Sequence, residues 1–158
     1  TDVRTAEMCK LTENSFRDVN IAFANELSMI CDKQGIDVWE LIKLANRHPR
    51  VNILQPSCGV GGHCIAVDPW FIVDSAPDES TLIQAARHVN DAKPQWVIRK
   101  VNEAIIEMTR SGRTCGDIRI ACLGITYKAD IDDLRESPAL QIAGILAQNH
   151  SGKVFFGR

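Results

Sequence analysis

No two of the six cysteines form a Cys-x-x-Cys pair, and His63-Cys64 has no second ligand pair at zinc-finger spacing, so a structural metal site is not indicated. The scattered positions Cys9, Cys31, Cys58, Cys64, Cys115 and Cys122 do not outline a disulfide framework either, and reduced thiols are expected. No basic cluster offsets the formal net charge of -2, which argues against a nucleic-acid surface. No apolar run approaches the ~20 residues of a membrane span, and no charged-then-apolar leader opens the chain. A cytoplasmic protein with no nucleic-acid or membrane partner is the expectation. Internal repeats and low-complexity tracts are missing too.

What remains is an ordinary globular composition, 45% apolar over 158 residues, enough for one domain or for one domain and part of another. The chain opens on Thr1 and stops after a strand-like run at Lys153-Val154-Phe155-Phe156. Both features read as those of a fragment.

From about Thr5 to Gln34 there is neither proline nor glycine. Apolar residues at Met8, Leu11, Val19, Ala22, Phe23, Leu27, Ile30 and Cys31 recur at three- and four-residue steps, which predicts one helix stopped by Gly35. About thirty residues make roughly 45 Å of helix, more than one small core needs, so packing against a second copy of the chain is expected. Asp37 is a predicted N-cap for a short helix over Val38 to Ala45, ended by His48-Pro49. Arg47, His48 and Arg50 form a small cationic group beyond it. Asp68-Pro69 fits an N-cap followed by proline at the first helical position. Ser80 is a candidate cap for a helix over Thr81 to Arg110, with Pro94 expected to kink or interrupt it. Ile118 to Ile125 then reads as a buried strand, Ser137-Pro138 as the start of a helix to Gln148, and Lys153 to Phe156 as a second strand. Strand, loop, helix and strand make the opening of a parallel α/β sheet.

The stretch Gly59-Val60-Gly61-Gly62-His63-Cys64 is the candidate site. It is not a dinucleotide fingerprint, since Cys64 stands where a third glycine would be required. Lys10 and Asn14 lie one turn apart on the first helix, where both side chains can point at one oxyanion. A thiol near an ammonium and a helix start gains thiolate character, and Asp68 can order a water or take its proton. Lys10, Asn14, Cys64 and Asp68 are therefore the parts needed to carry and hydrolyse an acyl thioester. Two other readings stand beside this one: a dimerisation module with no chemistry, and a cysteine hydrolase using His63 or His88 as base. Asp68 also has the plain reading of a helix cap, and Glu7 and Arg17 that of a solvated helix face.

Three motifs give a further handle: Ala6-Glu7-Met8-x-Lys10-Leu11-x-x-Asn14 with Arg17; Gly59-Val60-Gly61-Gly62-His63-Cys64-x-x-x-Asp68-Pro69; and Gly124-x-x-Tyr127-Lys128-x-x-x-Asp132-Asp133-x-Arg135-Glu136-Ser137-Pro138. In order and separation they resemble the UDP-glucose/GDP-mannose dehydrogenase family over nearly the whole chain. His48-Pro49-Arg50-Val51-Asn52-Ile53 and the run Cys64 to Phe71 resemble the branch acting on UDP-N-acetyl-D-mannosamine.

The resemblance implies an NAD-dependent oxidation of a nucleotide-sugar alcohol to an acid, in two hydride transfers through a Cys64 thiohemiacetal and thioester. It implies Lys10, Asn14 and Asp68 around the oxyanion and the water, Arg135 near the NAD phosphates, and Gly59, Gly61, Gly62, Arg50 and Lys128 toward the UDP-sugar. It also implies a mainly α fold: a helical dimerisation domain over 1–112, then an incomplete βαβ unit of a Rossmann-like UDP-binding domain over 113–158. With the NAD-binding domain missing, the chain alone is expected to be inactive. Two departures from the family pattern are Ser57-Cys58 where Gly-Pro is usual and Tyr127 where phenylalanine is.

Overall fold

The computed structural model describes residues 2–128 and 130–157; Ala129, between the predicted strand and the Ser137-Pro138 helix start, and Thr1 and Arg158 lie outside them. Helix α1 runs Val3–Gln34, capped by Asp2 at its start, and Gly35 in the left-handed region ends it. Helix α2, Val38–Ala45, is capped by the Asp37 carboxylate on the amides of Trp39 and Glu40. Helices α3, Asp68–Ser75, and α4, Thr81–Arg110, follow. Strand β1, Ile120–Leu123, helix α5, Pro138–Asn149, and strand β2, Val154–Gly157, close the chain. The two strands pair in parallel, Ile120 opposite Val154 through Leu123 opposite Gly157, with α5 as the crossover. Mainly helical, followed by the opening of a parallel sheet, is the fold class expected from the sequence.

Helix α2 has the extent expected, ending at Ala45, and Asn46 turns its side chain to the backbone of Ile53. Other features differ. Strand β1 is shorter than Ile118 to Ile125, and a 3₁₀ turn at Cys115–Asp117 was not foreseen. Ser80 makes no side-chain cap bond, and Pro94 leaves α4 unbroken. That proline packs under the glycine loop, its Cγ 3.2 Å from where a Cβ on Gly59 would be. Tertiary packing therefore holds the helix through the missing N–H.

The larger departure concerns which face of α1 is buried. Met8, Phe23 and Ile30 are exposed, whereas Asn14, Ser15, Asp18, Asn25 and Ser28 are buried beside Ala22, Ala24 and Cys31. The facing residues of α4 are polar as well. Arg87 Nη1 donates to Asp18 Oδ1 at 2.6 Å, Asn90 Nδ2 to the same oxygen at 2.9 Å, and Asn25 Nδ2 to Asn90 Oδ1 at 2.9 Å. Lys93 Nζ donates to Ser28 Oγ at 2.5 Å and lies 3.8 Å from the Trp96 ring centre. The two long helices are thus joined through a buried hydrogen-bonded seam, each polar group needing its partner because water is excluded. The apolar core sits further along α4, where Ile98 meets Ile142 and Leu146 of α5, with Cys58 against them.

Desolvation lowers the Lys93 ammonium from 10.5 to about 8, with Asp32 and Cys58 opposing the shift. Between those two values the unfolded chain binds more protons than the folded one, so this group adds stability as pH rises from about 8 to 10.5. Urea midpoints compared for the wild type and Lys93→Met across that window should show the wild type gaining on the variant as pH rises. A constant difference would contradict the assignment.

Candidate active site

The turn carrying Cys64 is short and tightly bonded. The Cys64 carbonyl accepts from the amides of Val67 at 3.2 Å and Asp68 at 2.8 Å, so Cys64 begins the turn from which α3 grows, and its thiol is exposed. Asp68 is not the cap predicted for it. Val67 occupies that position with no side-chain cap bond, and Asp68 is the first helical residue with Pro69 behind it. Its carboxylate is instead spent on α1, where Asn14 Nδ2 donates to Asp68 Oδ2 at 2.6 Å. Asn14 is 4% exposed, so this bond joins the thiol-bearing turn to the first helix in a largely dry setting. Helical spacing on α1 makes Asn14 available, and a proline that removes an unneeded amide keeps Asp68 at the helix start.

Lys10 is placed otherwise than expected. It is exposed and pairs with Glu13 at 3.4 Å, both side chains more than 60% accessible, an interaction of ~0.5 kcal/mol or less. Arg50 is exposed too, its amide bonded to His48 Nδ1 at 3.3 Å. Arg135 holds Asp133 through Nε and Nη2, at 3.0 and 2.7 Å. The bonds from Arg135 keep the Asp133 carboxyl down at about 2.

The glycines are explained first by packing. A Cβ on Gly61 would lie 2.3 Å from the Glu136 carbonyl oxygen and 2.7 Å from Tyr127 Cβ, so only glycine lets the loop close on the Tyr127–Pro138 segment. Gly62, with φ of +81°, donates its amide to the Arg135 carbonyl at 3.3 Å. Glycine at these places joins the helical part to the strand-containing part, which the sequence did not indicate.

That junction leaves a cleft of about 240 Å³ lined by Arg17, Gly59, Gly61, Ile65, Tyr127 and Lys128, among others. Gly59, Gly61 and Lys128 thus come together as predicted residues. Arg17, read as solvated helix surface, brings a second cation to the same cleft. Its place one turn beyond Asn14 on α1 was the available signal. A larger cleft of about 720 Å³ lies between α4 and α5, walled by Arg87, Trp70, Pro94 and Pro138.

Among the described residues no imidazole hydrogen-bonds Cys64, and His88 instead meets Trp70 edge-on at 5.7 Å. The cysteine-hydrolase reading loses its base. No group of metal-ligating side chains is found among the described residues, nor is any helix long and apolar enough to cross a membrane.

The turn that carries Cys64 is thus held to α1 through Asn14 and Asp68, and Ile65, the residue after Cys64, lines the cleft that brings Arg17 and Lys128 together. Residues 4–92 match the central domain of the UDP-glucose/GDP-mannose dehydrogenase family, and residues 121–154 match the UDP-binding domain of that family. The chain belongs to the UDP-glucose/GDP-mannose dehydrogenase family. It is 65% identical over 97% of its length to UDP-N-acetyl-D-mannosamine dehydrogenase of Escherichia coli K12, of which it covers 37%. It is 64% identical over 98% of its length to NDP-N-acetyl-D-galactosaminuronic acid dehydrogenase of Ralstonia solanacearum, covering 35%. In structure it matches UDP-N-acetyl-mannosamine dehydrogenase from S. aureus, with a TM-score of 0.83 and 47% identity over 99% of this chain and 36% of that one. The chain therefore spans a little over a third of the relatives it matches.

Proposed function

We propose that this chain is the central helical domain, residues 1–112, and the start of the UDP-binding domain, residues 113–158, of an NAD-dependent dehydrogenase that oxidises UDP-N-acetyl-D-mannosamine to its uronate. The observation that carries the reading is the 2.6 Å bond from Asn14 to Asp68. It places a donor and a carboxylate beside the turn that presents Cys64, an arrangement a bare dimerisation module does not need.

In this reading the sugar C6 alcohol loses a hydride and a proton to become an aldehyde, and the Cys64 thiolate adds to that carbonyl to give a thiohemiacetal. Loss of a second hydride and proton gives the thioester. A water held by Asp68 attacks the thioester carbonyl, and the C–S bond breaks to release the acid and restore the thiol. Asn14, and Lys10 after it leaves Glu13, donate to the oxygen as it gains charge. NAD, when bound, supplies the acceptor for each hydride. Arg135 fits one of its phosphate oxygens: the guanidinium is exposed, and among the described residues its Nη1 has no acceptor. Lys128 and Arg17 take the UDP phosphates while Gly59, Gly61 and Gly62 let the sugar approach the backbone. Arg50 reaches the nucleotide sugar from the second copy of a homodimer. That dimer forms through the long helices, where α1 exposes Phe16, Phe23 and Ile30 at seven-residue spacing, along one side of the helix. A cytoplasmic location suits the reduced thiol.

The 65% and 64% identities belong to relatives named for different sugars, so the test is made on both substrates. The full-length protein containing this stretch should reduce two NAD per UDP-N-acetyl-D-mannosamine, with a lower kcat/KM for UDP-N-acetyl-D-galactosamine, while the isolated chain forms no NADH. A full-length protein inactive on both sugars, or an active isolated chain, would overturn the proposal.

A further inference from the structure

Arg87 leads the large side chains that are fully buried, at 2% exposure, and it touches three elements at once. From α4, Nη1 donates to Asp18 Oδ1 of α1 at 2.6 Å and lies 3.5 Å from the carbonyl oxygen of Ile65, the residue after Cys64. Nη2 donates to Asp91 on its own helix. Asn90 braces the same Asp18 carboxylate and also donates to the Asp18 carbonyl at 3.1 Å. Asp18 is one turn beyond Asn14, and Asn14 holds Asp68, whose amide donates to the Cys64 carbonyl. The thiol-bearing turn is therefore tied at both ends, by Asn14 at Asp68 and by Arg87 at Ile65, and both ties lead to the same two turns of α1.

A buried ion pair is a weak source of stability, since apolar groups of similar volume commonly do as well. What a planar guanidinium does that they cannot is to hold several acceptors in one fixed geometry. We propose that Arg87 is a positioning residue for Cys64, setting the Cys64–Asp68 turn at a fixed register against α1. The proposal rests on the reading of Cys64 as the reacting thiol.

The test uses the full-length protein and two variants. Arg87→Lys keeps a cation for Asp18 but cannot fork to Ile65. Asp18→Leu/Arg87→Met removes both charges and fills their space, so that neither is left buried alone. Both should lower kcat by roughly 10- to 100-fold, with KM within about threefold. In both, amide hydrogen exchange at Val67 and Asp68 should quicken while the rest of α4 stays protected. Wild-type kcat and wild-type exchange at those two amides, in a variant that melts as the wild type does, would overturn the proposal. Should the double variant not fold, Arg87→Lys decides alone. A wild-type protein inactive on nucleotide sugars defeats the catalytic reading, and the exchange at Val67 and Asp68 still judges the positioning separately.

Discussion

Asp18→Ala is expected to destabilise the fold by about 3–5 kcal/mol, a large part of the ~5–15 kcal/mol that holds a typical domain together. The carboxylate is fully buried and accepts from Arg87 at 2.6 Å and from Asn90 at 2.9 Å. Burial pushes its carboxyl upward, while Arg87 and Asn90 pull it back toward the ionised form. Removing it leaves the Arg87 guanidinium in the interior with Asp91, half exposed, as its remaining anion. Asn90 keeps only the Asp18 carbonyl and its bond from Asn25. The cost is the desolvation of an orphaned charge rather than the value of the pair, so the single substitution should be far worse than exchange of both partners for apolar residues. Thermal unfolding should read a drop of roughly 6–20 °C. Glu13→Ala, which breaks the exposed pair with Lys10, should stay within ~0.5 kcal/mol of wild type. Equal effects of the two substitutions would show that the seam between α1 and α4 is not where the energy lies.

That seam also marks where sequence reading stops. The extent of α1 and α4 was legible because thirty-residue stretches of strong helix formers, bounded by Gly35, Ser80 and Gly112, leave few alternatives. Which face of α1 turns inward was not legible. Periodicity assigns apolar residues to the core, but Phe16, Phe23 and Ile30 face outward, and Asp18, Asn25 and Ser28 face in. Burial of Asp18 becomes favourable only once Arg87, 69 residues away, is in place, and nothing in the local pattern announces a partner at that distance. The same holds at Gly61, whose lack of a side chain is demanded by the Glu136 carbonyl and the Tyr127 side chain, both in a different structural unit.

In the candidate site, Asn14 and Asp68 were grouped with Lys10 and Cys64 by one-turn spacing on α1 and by the family pattern, but the direct bond between Asn14 and Asp68 was not foreseen. The role of Asp68 at its own helix did not follow, because Asp-Pro before an apolar run fits a cap equally well until the preceding turn is seen. Lys10 shows the opposite failure. Helical spacing put it beside Asn14, but the same spacing offers this long exposed side chain a carboxylate three residues on, Glu13, and the two pair at 3.4 Å.

Cys64→Ser in the full-length protein is expected to lower the rate of acid formation by on the order of 10³-fold, and this is the most direct test of the proposed chemistry. Of the six cysteines, Cys64 is on an exposed turn whose next helix holds Asp68 against Asn14. Cys58 is packed into the α4–α5 core, where burial raises its thiol, a setting that suppresses the thiolate. A serine in place of Cys64 keeps size and hydrogen bonding but is a much weaker nucleophile near neutral pH, and the oxygen ester it would form hydrolyses more slowly than a thioester. The first oxidation does not require the thiol, so the variant should still bind UDP-N-acetyl-D-mannosamine with KM little changed while the second NAD goes unreduced. Cys9→Ser, on the exposed start of α1, should leave both oxidations intact. The decisive quantity is the ratio of NADH formed to sugar consumed. It should be two for the wild type and for Cys9→Ser, and below two for Cys64→Ser, with the aldehyde or its hemiacetal on the introduced serine accumulating. A Cys64→Ser enzyme that still delivers two NADH and free acid at the wild-type rate would remove Cys64 from the mechanism, and with it the reason for Asn14 and Asp68 to meet where they do.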